Sequence, residues 1–245
     1  MKKSSIEWTE FTSNPIRGKC LHACSYCYAE RIRLRFKQSE EMSWHPEELM
    51  MIEQRKKPSV IFMGSMYDIF GKWVSSEWIN KIIDITRKCP QHTFLFLTKN
   101  PYRYMEFGFP DNCWLGYTED GTNDIRGWIY LRDVENKNTF ISFEPLIGNK
   151  LNVNFAHIKG VIIGAMTGPG AIEPDRITID AIIGRAEDKP IFLKNNLLSI
   201  FPDLKKRQET AWKFTLEVEN VFVERERNES DNFNRSNLAF NSHTV

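Results

Sequence analysis

Three of the chain's five cysteines fall within eight residues, in "GKCLHACSYCYAERIRLRF" (Gly18 to Phe36), spaced C-x3-C-x2-C as Cys20, Cys24 and Cys27. Three thiolates on one short loop can hold three irons of a cubane. Simple iron–sulfur electron carriers bind a [4Fe–4S] cluster with four cysteines, and neither Cys89 nor Cys113 is obviously placed to supply a fourth. A three-cysteine cluster leaves one iron open to a ligand from outside. The other use of such a group is structural zinc with His22 as fourth ligand, which would make the chain a zinc-stabilised binding module. His22 sits between Cys20 and Cys24, and its ring does not easily close a tetrahedron with both. In a reducing compartment clustered thiols point to metal rather than to disulfides. Cys89 and Cys113 flank apolar runs and read as core thiols.

The elements that must carry this loop are legible as apolar runs at long, fairly even intervals: "VIFMGS" (60–65), "TFLFLTK" (93–99), "CWLGYT" (113–118), "TFISFEP" (139–145), "GVIIGAM" (160–166) and "PIFLKN" (190–195). Most lack alternation, as strands buried on both faces do. A first strand is expected before the cysteines, within Ile6 to Ile16. Helical patterns lie between the runs: "SSEWINKIIDITRKC", with Ser75 or Ser76 as N-cap; "PYRYMEFGF", opening on a proline; and "EPDRITIDAIIGRAEDK". Strands alternating with helices predict βαβ units. Six or seven units, with no G-x-G-x-x-G after the first strand, fit an α/β fold of the partial (β/α)6 barrel type better than a Rossmann sheet.

The chain has 245 residues, 41% of them hydrophobic, and a formal charge of +1. That is enough apolar material for a sizeable core. The charge gives no global pull toward nucleic acid, membrane or acidic partners. No stretch has the apolar length of a signal peptide core or a membrane span, so a cytoplasmic protein is expected. From about residue 213 the sequence turns polar and Asn-rich, which divides the chain into a barrel domain, 1–212, and an extension, 213–245, partly flexible.

The C-x3-C-x2-C loop, with aromatic Tyr26 before its last cysteine, resembles the signature of radical SAM enzymes. A second resemblance, to a phage-associated family of unknown function with radical-SAM-like features, covers about Ile6 to Trp212. It rests on "IEWTEFTSNP", "CYAERIRLRF", "FMGSMYDIFG", "FLFLTKNPYRYM", "NCWLGYTED", "FISFEPLIG", "GVIIGAMTGPG" and "IFLKN". The chain departs from that family in three places. The first two cysteines are closer together; Gly164–Gly168 reads Gly-Ala-Met-Thr-Gly where relatives tend to have Gly-Gly-Glu-Ser-Gly; and Lys194-Asn195-Asn196 replaces Lys-Gln-Trp. The resemblance implies a [4Fe–4S] cluster on Cys20, Cys24 and Cys27, with S-adenosyl-L-methionine (SAM) on the open iron. One electron from an external flavodoxin- or ferredoxin-type reductant then cleaves the sulfonium, and a 5′-deoxyadenosyl radical abstracts hydrogen from the substrate. The phage association suggests a nucleic-acid base as substrate, with thymine-type modification, adduct rearrangement or repair as the outcome, in the host cytoplasm. A nucleotide, small metabolite or peptide stays open, as does the reaction type among isomerase, lyase and transferase.

Ligand contacts in such a fold gather at the carboxyl ends of the strands. Tyr26, Ser65 and Asp68 are accordingly expected at the cofactor, Asp68 accepting from its amino group or else capping a helix. Thr118 and Glu119 are expected at the ribose, with Asp120-Gly121 read as a turn. Ser142, Gly164 and Thr167 complete the expected cofactor contacts, and Lys99, Glu144 and Lys194 are the candidate catalytic residues. "ERIRLRFK" (30–37) reads as a solvated helix face. Arg31 and Arg35 are one turn apart, as are Arg33 and Lys37, and the other use of the run is to grip phosphate.

Overall fold

In the computed structural model residues 1–122 and 126–212 are described, and the expected extension from 213 lies outside them. The chain divides by packing into Met1–Thr210 and Ala211–Val245, and every element named here belongs to the first unit.

The strands are β1 (Lys2–Lys3), β2 (Phe11–Ser13), β3 (Ile16–Arg17), β4 (Ser43–Trp44), β5 (Val60–Met63), β6 (Thr93–Thr98), β7 (Cys113–Thr118), β8 (Thr139–Phe143), β9 (Gly160–Ile163) and β10 (Ile191–Leu193). The helices are α1 (Tyr28–Arg35), α2 (Glu47–Gln54), α3 (Ser76–Lys88), α4 (Trp128–Asp133), α5 (Arg176–Arg185) and α6 (Asn195–Ile200), with a 3-10 turn at Pro101–Glu106. Eight strands form one sheet in the order β1-β2-β5-β6-β7-β8-β9-β10. All neighbours from β2 to β10 run parallel, and only β1 is antiparallel. The protein is therefore an α/β protein with a mostly parallel sheet. Its order never reverses, whereas a doubly wound sheet switches direction at the crevice where its ligand binds. β1 and β10 are the sheet's two edges. β3 and β4 make a separate ribbon.

The six long apolar runs became strands because each buries both faces. Ile61, Met63, Phe94, Phe96, Leu115, Ile141, Phe143, Val161, Ile163, Ile191 and Leu193 join the core that also takes Ile79, Ile82 and Ile83 of α3 and Ile179 and Ile182 of α5. Their neighbours of opposite parity, Phe62, Leu95, Trp114, Phe140, Ile162 and Phe192, face the other way, as a pleated strand requires. On that side the ring of Trp8 lies 4.8 Å from Phe62 and 6.4 Å from Phe140. Ser75 caps α3, its side chain accepting from Trp78 N, and Asp175 caps α5 by accepting from Thr178 N. The proline-led segment forms the 3-10 turn rather than an α-helix. Cys89 and Cys113 are buried free thiols, and burial pushes Cys113 up to about 12. Among the described residues no helix is long and apolar enough to cross a membrane.

Candidate functional site

The parity that buries one set of side chains against the helices sends the other set, at the strand ends, into a cavity of about 450 Å3. Gly64 follows Phe62, Lys99 follows Leu97, Thr118 follows Gly116, Glu144 follows Ser142 and Lys194 follows Phe192, each two residues further along the same face. All five line the cavity, as do Cys20, Cys24, Cys27, Tyr26, Ser65, Asp68 and Thr167. Three predicted residues do not. Glu119 is one residue out of phase: it is buried, accepts from Tyr117 Oη at 3.2 Å and from Gly121 N at 2.9 Å, and burial raises its carboxyl. Ser142 is fully buried with an unpartnered hydroxyl. Gly164 lies behind the lining and makes room for it, because a Cβ there would stand 2.8 Å from Lys194 Cδ and 3.2 Å from Glu144 Cγ.

All three loop cysteines are free and half-buried. Cys27 is the N-cap of α1, its Sγ accepting from Glu30 N at 3.4 Å. Burial raises Cys24 and pushes Cys20 up to about 11. Desolvation thus disfavours the thiolates of Cys20 and Cys24, an effect that a bound cation or cluster would oppose.

Two carboxylates fasten the loop to the sheet. Asp68 Oδ2 lies 2.7 Å from His22 Nε2 and accepts from Thr98 Oγ1 (2.9 Å) and Lys99 N (3.0 Å), while Oδ1 accepts from Phe70 N. Asp68 is therefore the anchor of a turn and of His22. It is not a helix cap, and His22 has its Nε2 committed away from the cysteines. Among the described residues no three His, Cys, Asp or Glu side chains converge as ligands of one metal ion. The donor set still suits a larger guest: three free thiols from one loop line the same cavity.

The second anchor is Asp120, which sequence reasoning read as part of a turn. Its Oδ2 accepts from Tyr26 Oη at 2.5 Å and Lys99 Nζ at 2.8 Å, and its Oδ1 from Thr122. Burial alone would raise this carboxyl, but the bonds from Lys99, Thr122 and Tyr26 outweigh it and hold Asp120 well below the usual carboxylate range. Lys99 Nζ also lies 5.2 Å above the Tyr26 ring. The aromatic of the cysteine motif is thus locked from both sides.

Another part of the lining is built around Glu144. Its carboxylate is ion-paired with Lys194 and accepts from Trp8 Nε1 at 3.1 Å. Asn196 donates to the Ala165 carbonyl at 2.8 Å and so fixes the start of the loop after β9. Ser65 is bonded to Asn14 through its hydroxyl and accepts from Tyr28 Oη through its carbonyl. Trp8, Tyr28, Arg31 and Asn196 are lining residues that the sequence did not single out as site residues. Only Arg31 carried a signal, as part of a basic run.

One protein-family model matches, over residues 3–191. No curated protein matches the chain, and no solved structure does. The match spans more than half of the sequence, and the chain therefore belongs to the family described as "Protein of unknown function (DUF5131)".

Proposed function

We propose that this protein is a radical SAM enzyme on a partial (β/α)6-type barrel, with Cys20, Cys24 and Cys27 holding a [4Fe–4S] cluster and SAM lying across the strand ends. The observation that carries the reading is the placement of three free thiols of one loop on the wall of a single cavity. The same cavity is lined by Glu144, Lys194 and Trp8. When bound, the cluster and SAM would supply one-electron cleavage of the sulfonium and abstraction of a substrate hydrogen atom.

The chain's own residues would do the rest. His22–Asp68 and Tyr26–Asp120–Lys99 orient the loop. Ser65, Thr118 and Thr167 offer hydroxyls to a cofactor's polar edge. The Glu144–Lys194 pair, half-buried, holds a proton acceptor and a donor side by side where a substrate would enter. Apolar Trp8, Phe62 and Leu97 exclude water from the same space. The substrate we favour is a nucleic-acid base or nucleotide, consistent with the cavity's mixed aromatic and polar lining. An external one-electron carrier is required.

Anaerobic reconstitution tests this reading. The wild-type chain should turn brown, bind iron and sulfide, and release 5′-deoxyadenosine from SAM with dithionite. Cys24→Ala should do none of these. A colourless protein with stoichiometric zinc would reinstate the binding module, and a brown protein that releases no deoxyadenosine would leave only an iron–sulfur protein.

A further inference from the structure

We infer that Arg31 anchors the substrate's anionic group at the cavity rim and that this group is a phosphate. The inference rests on the reading above for treating the cavity as the reaction chamber.

The cavity's other basic side chains already have partners. Lys99 is paired with Asp120, Lys194 with Glu144, and His22 with Asp68. Arg31 lines the same cavity, half-buried, and its side chain has no hydrogen bond or ion pair with any described residue. Its backbone N donates to Cys27 O at 3.3 Å in the first turn of α1. Its guanidinium lies against Gly168: a Cβ there would stand 2.7 Å from Nη1, 3.0 Å from Cζ and 3.2 Å from Nη2. Gly168 has φ +93°, so this turn both demands glycine and gains from it the space for the arginine. A guanidinium in this position, with no hydrogen bond or ion pair among the described residues, is a fork open to an oxyanion.

Cavity size places the anion at the rim. About 450 Å3 is near the lower end for small-molecule sites, so a sulfonium cofactor and a whole substrate cannot both be enclosed. The reacting fragment enters and the charged part stays outside, beside exposed Thr167 and Gly168. Arg35 follows one turn further along α1, exposed and with no ion pair among the described residues. Two unpaired forks one turn apart on one helix face suit repeated phosphates better than a single carboxylate. The phosphate has two possible sources, a nucleic-acid strand or a free nucleotide.

The test is binding by the full-length chain, followed by fluorescence anisotropy of a labelled, mixed-sequence single-stranded DNA oligomer. The four nucleoside 5′-monophosphates and glutarate, at matched ionic strength, serve as competitors. Arg31→Gln should weaken binding of the oligomer about tenfold and make its salt dependence shallower by about 0.7 in log–log slope. Gly168→Ala, which removes no charge, should weaken binding similarly by displacing the guanidinium. Arg31→Lys, which keeps the charge without the fork, should fall between wild type and Arg31→Gln and guards against a folding artefact. If Arg35→Gln weakens the oligomer but not the nucleotides, the source is a strand; if it changes neither, the source is a free nucleotide. Wild-type affinity in both Arg31→Gln and Gly168→Ala overturns the inference, as does competition by glutarate equal to that by nucleotides. Iron and sulfide content separates the two readings. A chain that takes up no cluster but still needs Arg31 for binding keeps the phosphate site and loses the radical chemistry; a chain that takes up the cluster but binds without Arg31 does the reverse.

Discussion

Asp120 is the residue on which the cysteine loop's orientation turns. It is buried, and it gathers Tyr26, Lys99 and Thr122. Asp120→Asn removes the charge from a pair whose other member keeps some access to water, and should cost about 2–3 kcal/mol. The pH dependence has a definite sign. A carboxyl held below its unfolded value contributes stability that is full above about pH 4, the unfolded value, and is lost as pH falls toward the folded one. Urea midpoints for wild type and Asp120→Asn should therefore differ by a constant amount from pH 7 to 5 and draw together progressively as pH falls below 4. A gap that does not narrow at all between pH 4 and pH 2 would assign the loss to packing rather than charge. Glu119, the neighbour that the sequence favoured, illustrates why single residues at a strand end are hard to place. A pleated chain alternates faces, and a one-residue error in phase moves a carboxylate from the cavity to the helix side. Lys99, Thr118, Glu144 and Lys194 were in phase with their strands. Asp120, two residues past the end of β7, is in phase with Thr118, but its Asp-Gly dipeptide carries a turn signal that masks any other use.

At the scale of elements, β8 carries the clearest conflict between expectation and structure. Ser142 was expected at the cofactor, yet its hydroxyl is buried without a partner. An unsatisfied buried hydroxyl costs about 1–3 kcal/mol. Ser142→Ala should therefore leave the protein as stable or raise its stability by about 1 kcal/mol, with SAM affinity unchanged. Calorimetry and equilibrium binding check the two halves, and a loss of SAM affinity would return Ser142 to the cofactor. The long strands were legible because each is a run of apolar residues buried on both faces, a pattern that survives without knowledge of partners. α3 was legible from its spacing and its serine cap. The two-residue strands β1, β3 and β4 are too short to show any period. α4 and α6 have six residues each, less than two full turns, and their amphipathic signal is correspondingly weak. The cysteine spacing announced the site, but the partners that hold it came from residues 46 and 94 positions away, which no local pattern encodes.

For the molecule as a whole, the sequential strand order brings seven carboxyl ends to one rim, so that a loop after any strand can reach the same cavity. A cluster bound by thiols in the native chain and not in the unfolded one raises stability by mass action. Anaerobic calorimetry should show a higher unfolding midpoint after reconstitution with iron and sulfide. Cys24→Ala should lack that rise while unfolding close to the metal-free wild type. An equal rise in the variant would mean that iron binds elsewhere.

The double fastening of the cysteine loop, through Asp68 to one strand end and through Asp120 to the next but one, has a kinetic corollary. On the proposed reading, the loop that would hold the cluster is fastened by the chain's own side chains, so uptake need not wait for a coil to find its shape. Zinc fingers collapse from disorder around their metal; this chain would instead accept a preassembled cubane from a carrier by ligand exchange alone, with far-ultraviolet dichroism the same before and after.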